Sequence, residues 1–174
     1  MPVTKKILLL LLPCAFYIAV SFNSSCNVYK FNDVSIADSI KTIKVNYIEN
    51  KARYINPQLS PQLTDKLRQK IVNQTRLTQV NSDNPHLEIS GEIRDYSVST
   101  SAISSQQSAT NRLTVGVHIT VINHLANEQP KEYDVSRSFE FSATKSLPEA
   151  ESGLKDEMIR SLVDEIFNRL FSNW

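Results

Sequence analysis

Residues 112–124, RLTVGVHITVINH, carry the clearest structural pattern in the chain. Apolar side chains occupy every second position, and polar residues or glycine lie between most of them. The apolar residues are Leu113, Val115, Val117, Ile119 and Val121. Strict alternation is typical of a strand with one buried and one solvated face. This stretch therefore predicts a long β-strand in a sheet that is covered on one side only.

Two further strands are predicted on either side of this one. Residues 86–99 place Leu87, Ile89 and Ile93 on one face, and the alternation then changes phase, which indicates a β-bulge near Arg94–Asp95. Residues 132–143 also alternate. Their inward residues are Tyr133, Val135, Phe139 and Phe141. Because no helical pattern separates these three strands, they are expected to form an antiparallel meander.

The remaining elements come earlier in the chain and at its end. Residues 41–48 predict a first strand with Ile43, Val45 and Tyr47 inward. A helix is predicted to begin at Ser60-Pro61, with the serine as its cap, and to end near Asn73. Its apolar stripe is Leu63, Leu67 and Ile71.

A second helix is predicted over residues 148–171, where Met158, Leu162 and Ile166 lie at the centre of a four-residue apolar repeat. Ser146 and Glu149 form a capping-box pattern before it. The element order βαβββα predicts an α+β fold. It is a two-layer sandwich with two helices packed on a four-stranded, mostly antiparallel sheet.

The N-terminal segment predicts export. Lys5-Lys6 precede a short apolar run, and small residues lead to Cys26, as in a bacterial lipoprotein signal. The thiol of Cys26 would carry a diacylglycerol and the new amine an acyl chain, and two or three chains hold a protein firmly on a membrane. We predict a signal peptide over residues 1–25, a lipidated lead over 26–40 and a domain over 41–174. The alternatives are an ordinary signal peptide and an uncleaved anchor.

Composition excludes several classes of function. Cleavage before Cys26 removes two of the 19 Lys and Arg residues, which leaves 17 against 18 Asp and Glu, so the mature chain lacks the basic excess of a nucleic-acid binder. Only one of the two cysteines remains, so neither a disulfide nor a cysteine metal site is expected. No histidine spacing suits a metal, and no nucleophile elbow or phosphate-binding loop occurs. The sequence predicts a protein that is not an enzyme and has no metal or dissociable cofactor.

The polar loops hold the remaining functional candidates. Arg53 lies in the first long loop, and Ser104 lies in an uncharged Ser/Gln-rich loop over residues 100–110. Arg112 follows that loop, and Lys145 follows the last strand. Solvent-exposed connections are the plain alternative for each of these residues.

Several segments together resemble one family. They are Cys26–Phe31 (CNVYKF), Asn73–Leu77 (NQTRL), Gly91–Ile93 with Tyr96, Asn111–Val115 (NRLTV), Ile166–Asn168 and Asn173–Trp174. With the βαβββα order and the lipobox, they are similar to LptE, the lipopolysaccharide-assembly lipoproteins, in the form found in Bacteroidetes. The similarity is spread over the whole mature chain.

The resemblance implies a role in the cell envelope. LptE proteins lie at the periplasmic face of the outer membrane, plug the β-barrel LptD, help it assemble, and have been proposed to bind lipopolysaccharide. The partners implied here are therefore an LptD-like barrel, lipopolysaccharide and, through the lipid anchor, the outer membrane. Arg112, Lys145, Ser104 and Arg53 are the candidate contacts.

One departure concerns the loop between the second and third of the family's strands, where some members carry a basic residue to which lipopolysaccharide contact is attributed. Residues 100–110 have none, and Arg112 and Lys145 are the nearest substitutes. A pilot or adaptor lipoprotein for another outer-membrane complex is the alternative function. A lipoprotein enzyme would need a clustered site that the sequence does not show.

Overall fold

The elements follow the predicted order, with one additional short strand. The computed structural model describes residues 36–100, 109–126 and 128–172. The strands are β1 (Thr42–Asn50), β2 (Thr78–Gln79), β3 (Leu87–Thr100), β4 (Thr110–Asn123) and β5 (Lys131–Ser142). The helices are α1 (Leu59–Gln74) and α2 (Leu147–Phe171). The α+β class is confirmed.

The sheet differs from the prediction in strand number and direction. Its order in the described chain is β2-β1-β3-β4-β5. β1 pairs in parallel with both β2 and β3, whereas β3, β4 and β5 form the expected antiparallel meander. The four-stranded, mostly antiparallel sheet was therefore wrong in detail, and the sheet is mixed and five-stranded. The parallel β1–β3 pair follows from α1, which crosses the sheet between the two strands.

Two bulges change which residues face the core. The bulge predicted near Arg94–Asp95 is confirmed by a register shift between Ile93 and Asp95 opposite β4. A second, unpredicted shift lies between Val45 and Ile48. It turns Tyr47 outward, where 54% of its surface is exposed, and buries Ile48 instead. The inward orientation predicted for Tyr47 was wrong for this reason.

Gly91 shows how closely the sheet packs beneath these bulges. A Cβ at this position would lie 2.8 Å from Ile119 Cδ1 and 3.2 Å from Ile48 Cγ1. Those isoleucine side chains are buried and occupy the space that any larger residue would need. Close packing therefore favours a glycine here, because a larger residue would have to displace the end of the Ile119 side chain.

Both helices pack on one face of the sheet, and the other face carries mainly polar side chains. Leu67 of α1 and Leu162 of α2 are fully buried within one continuous core. The predicted stripe of Leu63, Leu67 and Ile71 is confirmed, and each of the three is completely buried. The two-layer arrangement thus rests on the inward faces of the strands and on the apolar stripes of both helices.

The two helix starts differ. Ser146 and Glu149 form the predicted capping box of α2, since the Glu149 carboxylate accepts from the Ser146 backbone N–H at 2.8 Å. The predicted Ser60 cap was wrong, because α1 begins one residue earlier at Leu59 and Gln58 already has helical dihedral angles. Ser60 is instead buried in the first turn.

Candidate functional site

Three connections meet at one end of the sheet, which we call the loop end. They are residues 51–58 after β1, the connection from Thr100 at the end of β3 to Ala109 before β4, and residues 143–146 after β5. β1 and β3 are parallel, so both finish at this end. Thr110 pairs with Ser142, so β4 begins and β5 finishes there too. The fold thus brings Arg53, Arg112 and Lys145 to one end.

The candidate contact residues differ in exposure and in their side-chain partners. Arg53 and Lys145 are exposed and form no ion pair with any described residue. Arg112 donates to the Glu140 carboxylate on the neighbouring strand at 3.0 Å. Ser104 and the predicted lipid-attachment residue Cys26 lie outside the described residues. Arg53 and Lys145 are therefore two cations at this end that an anionic ligand would meet without displacing an ion-pair partner among the described residues.

A cluster of two tyrosines and a glutamate fixes the loop that carries Arg53. The rings of Tyr54 and Tyr96 stack with centroids 5.3 Å apart. Tyr96 Oη donates to Glu151 Oε1 at 2.5 Å, and Tyr54 Oη lies 3.4 Å from Glu151 Oε2. Burial, and then the hydrogen bond to Glu151, raises the pKa of Tyr96 well above its usual value. Sequence reasoning missed this cluster because its members come from a loop, β3 and α2.

The loop end also receives the N-termini of both helices. α1 follows β1 and α2 follows β5, so each helix begins where those strands finish. Helix N-termini carry partial positive charge from unsatisfied backbone N–H groups. The first turn of α1 contains no acidic residue, whereas that of α2 contains Glu149. The N-terminus of α1 thus adds to the positive charge of Arg53 and Lys145 at this end, whereas that of α2 is already capped by the Glu149 carboxylate.

The open face of the sheet is a hydrogen-bonded polar surface. Asn46 Nδ2 donates to Glu88 Oε1 at 2.8 Å, and His124 Nε2 lies 3.0 Å from Glu88 Oε2. These two contacts, Asn46 first, hold the pKa of Glu88 below its usual value. Lys51 donates to Glu92 at 2.5 Å in the same way and lowers its pKa. No element of the described chain covers this face, so its polar groups bond mainly to one another.

Each histidine contacts one or two polar groups in or next to neighbouring strands. His86 Nδ1 accepts from the Lys41 backbone N–H at 3.0 Å, and His118 Nδ1 lies 2.8 Å from Asp134 Oδ1. Within the described residues, no group of three or more histidine, cysteine or acidic side chains could hold a metal ion. No helix among the described residues is both long enough and apolar enough to cross a membrane.

A cavity of about 230 Å³ opens at the opposite end of the sandwich. Its lining includes Ile36, at the start of the described chain, and Ser172, at the end. Ile36 packs against the core, and Arg76 donates to its carbonyl oxygen at 2.8 Å. Ile36, the first described residue, therefore lies at the end opposite the loop end.

Comparison with known proteins identifies the fold and the family. A putative neuraminyllactose-binding hemagglutinin homolog from Helicobacter pylori is similar in structure, with a TM-score of 0.54 and 9% identity over 81% of this chain and 88% of that one. A minor lipoprotein from Acinetobacter baumannii has a TM-score of 0.51 and 11% identity over 76% of this chain and 93% of that one. At such low identity these likenesses show the fold alone. None of the curated proteins compared with the chain matches it.

The family comparison is more specific. The LptE family, described as lipopolysaccharide-assembly, matches residues 40–170, which include every strand and nearly all of both helices. The match covers well over half of the 174 residues. It agrees with the resemblance carried by the segments from Asn73 to Asn168. This chain belongs to the LptE family of lipopolysaccharide-assembly proteins.

Proposed function

We propose that this protein is an outer-membrane lipoprotein, anchored through lipid on Cys26 at the periplasmic face, that plugs and helps assemble an LptD-type β-barrel. The barrel delivers lipopolysaccharide to the cell surface, and the plug binds lipopolysaccharide without covalent chemistry. The observation that carries the proposal is the family match over residues 40–170. No catalytic step is required of any residue in this role.

The open polar face supports the barrel partnership. The lumen of a large outer-membrane barrel is polar, and a domain placed inside it must present hydrogen-bonding groups over much of its surface. The outward side chains of β3, β4 and β5 include Glu88, Thr114 and Ser138, and these already form hydrogen bonds across strands. Such a surface can exchange water for barrel side chains without leaving buried groups unpaired.

The loop end supports the lipopolysaccharide contact. Arg53 and Lys145 are exposed cations, and the lipid part of lipopolysaccharide carries phosphate groups. A charge-assisted hydrogen bond contributes about 1.5–3 kcal/mol. Arg112 would first have to leave Glu140, which lies 3.0 Å away, so we assign it the smaller share. Ile36, the first described residue on the side of Cys26, lies at the opposite end from these cations.

The partnership is tested by purifying the full protein from detergent-solubilised envelopes. We expect a stable one-to-one complex with an LptD-type barrel, and a fall in barrel assembly and surface lipopolysaccharide when the protein is depleted. Normal barrel and lipopolysaccharide levels after depletion would replace this proposal with an adaptor role for another complex.

The contact residues are tested with a matched pair of variants. Arg53→Ala with Lys145→Ala should weaken lipopolysaccharide binding while the barrel complex still forms. Lys41→Ala with Lys66→Ala removes the same charge from exposed positions away from the two loops and serves as the control. Equal loss of binding in both pairs would show a general charge effect and contradict a site at the loop end.

The anchor is tested at Cys26. Mass spectrometry of the native membrane-bound protein should find diacylglycerol on Cys26 as the first residue, and Cys26→Ala should leave the precursor uncut or release the protein. An unmodified Cys26 within membrane-bound protein would contradict the anchor.

A further inference from the structure

The outer edge of β5 exposes a defined set of backbone groups. The Ala143 N–H donates to the Ala109 carbonyl at 3.0 Å, so that pair is a hydrogen-bonded pair of the antiparallel ladder. The register between β4 and β5 has no shift, so odd-numbered β5 residues bond to β4 and even-numbered residues point away from it. The outward residues are Glu132, Asp134, Ser136, Ser138, Glu140 and Ser142.

Most of these outward groups have no partner among the described residues. β5 pairs only with β4 there, and no described side chain bonds to its backbone. Ser142 is the exception, because its carbonyl accepts from the Lys145 N–H at 3.0 Å. Residues 132–140 thus present an edge of about 30 Å at about 3.3 Å per residue. An edge of this kind is a template for an added strand.

The opposite edge of the sheet is closed. β2 covers the start of β1, and α1 supplies side chains to the rest of it. Arg68 donates to the Val45 carbonyl through Nε at 3.1 Å and Nη2 at 2.7 Å. The buried Thr64 hydroxyl accepts from the Ile48 N–H at 3.0 Å. α2 packs beside β5, but its ion pair from Glu165 goes to the Arg137 side chain and leaves the backbone free.

Side chains along the open edge are acidic. Glu132, Asp134 and Glu140 lie on the polar face and are 66%, 84% and 59% exposed. Their partners, His118 and Arg112, come from β4 on the inner side, so the outer side of each carboxylate still faces solvent. Opposite charges on adjacent strands stabilise pairing, and like charges directly opposite each other destabilise it.

We propose that the outer edge of β5 binds an extended strand of a partner protein that carries Lys or Arg at alternate positions. Backbone groups of residues 132–140 supply the hydrogen bonds, and Glu132, Asp134 and Glu140 select basic side chains on the polar face. The inference does not depend on which protein supplies the strand. If no barrel complex were found, the proposed strand binding at β5 would still hold. If strand binding at β5 were not found, the proposed family role would still hold.

The test uses residue-resolved amide hydrogen exchange on the full mature chain. The probe is a synthetic peptide of about ten alternating Lys and Thr residues, which matches the length of the edge. We expect the amides of Asp134, Ser136 and Ser138 to exchange fast in the free protein and about tenfold more slowly or better with saturating peptide. Amides that bond to β4, such as that of Val135, should be protected in both states.

Ser136 offers a matched pair of variants. Ser136→Pro removes an outward N–H and places the ring in the path of an added strand, which an edge position tolerates without loss of a ladder bond. Ser136→Ala keeps the N–H. We expect both variants to melt close to the wild type, and only Ser136→Pro to lose peptide protection. A Glu/Thr peptide of the same length should give no protection.

Several outcomes would overturn the inference. One is an absence of protection with the Lys peptide. Equal protection by the Glu/Thr peptide, or by Ser136→Pro, would show that strand pairing with charge selection does not occur. Slow exchange of the outward amides in the protein alone would show that another segment of this chain, or a second copy where it depends on concentration, already occupies the edge.

Discussion

The two edges of the sheet satisfy their backbone groups in different ways. At the β1 edge, Thr64 and Arg68 of α1 bond directly to the strand, and β2 continues the cover. At the β5 edge, α2 contributes an ion pair between side chains but no described bond to the outward backbone. The crossover from β1 to β3 places α1 where it can cover its own strand, whereas α2 follows the last strand and only packs against its face. Among the described residues, chain order thus leaves one edge closed and one available.

Truncation of the core beneath either edge should have the largest effect. Leu67→Ala and Leu162→Ala each remove a completely buried side chain, one under each half of the sheet. We expect each to lower the free energy of unfolding by about 2–5 kcal/mol. Chemical denaturation measures this free energy. Val72→Ala, at an exposed position on α1, is the control. A loss no greater than that of the control would show that these stripes are not the core.

The closed edge can be broken at Thr64 with little change of shape. Thr64→Val leaves the Ile48 N–H buried without an acceptor, which should cost about 1–3 kcal/mol. Thr114→Val, which removes an exposed hydroxyl contact with Ser138 on the polar face, is the control and should stay within about 0.5 kcal/mol of the wild type. Equal losses of stability in the two variants, measured by denaturant titration, would mean that water accepts the hydrogen bond from the Ile48 N–H.

Removal of Arg68 should make the two edges more alike. Arg68→Leu keeps the apolar stem but frees the Val45 carbonyl, and because this side chain is 37% exposed, water can replace part of the bond. We expect a loss of about 0.5–1.5 kcal/mol and more concentration-dependent self-association through the opened edge. Arg94→Leu, on the polar face, is the matched control in denaturation and sedimentation experiments. Self-association that rises equally in both would point to lost charge as the cause.

The smallest expected effect is a pH dependence near the closed edge, where Glu88 holds Asn46 of β1. The pKa of Glu88 is lowered from 4.5 in the folded protein, so its contribution is present above pH 4.5 and is lost as pH falls through the folded pKa. The difference in melting temperature between wild type and Glu88→Gln should therefore shrink as pH is lowered from 7 towards 3. A difference that is constant over this range would contradict the charged role of Glu88.

Local patterns predicted much of this structure because the local signal and the burial agree. In β4, Leu113, Val115, Val117 and Ile119 are all buried, as their alternation requires. The phase change in β3 was sufficient to place its bulge, and the spacing of Ser146 and Glu149 predicted the cap of α2. These features depend on residues that are close in sequence, so the amino-acid order alone carries them.

The errors occur where distant residues decide. β2 has two residues, too few to show any period, and it exists because Thr78 and Gln79 pair with β1. Tyr47 alternates correctly with Ile43 and Val45, but the bulge that turns it outward arises from pairing with β3. The Tyr54–Tyr96–Glu151 cluster joins residues almost a hundred positions apart in the chain. No window of sequence could have placed these three together.

The class of fold, the family and most of the buried face of each long element follow from the amino-acid order. Periodicity and capping are local, and the family resemblance is carried by the residues themselves. Three features depend on tertiary contacts: β1 runs parallel to β3, Arg53, Arg112 and Lys145 share one end, and β1 is covered while no described residue covers the outer side of β5. The reason is that backbone N–H and C=O groups are nearly the same in every residue, so which of them find partners depends on the elements that the chain brings beside them.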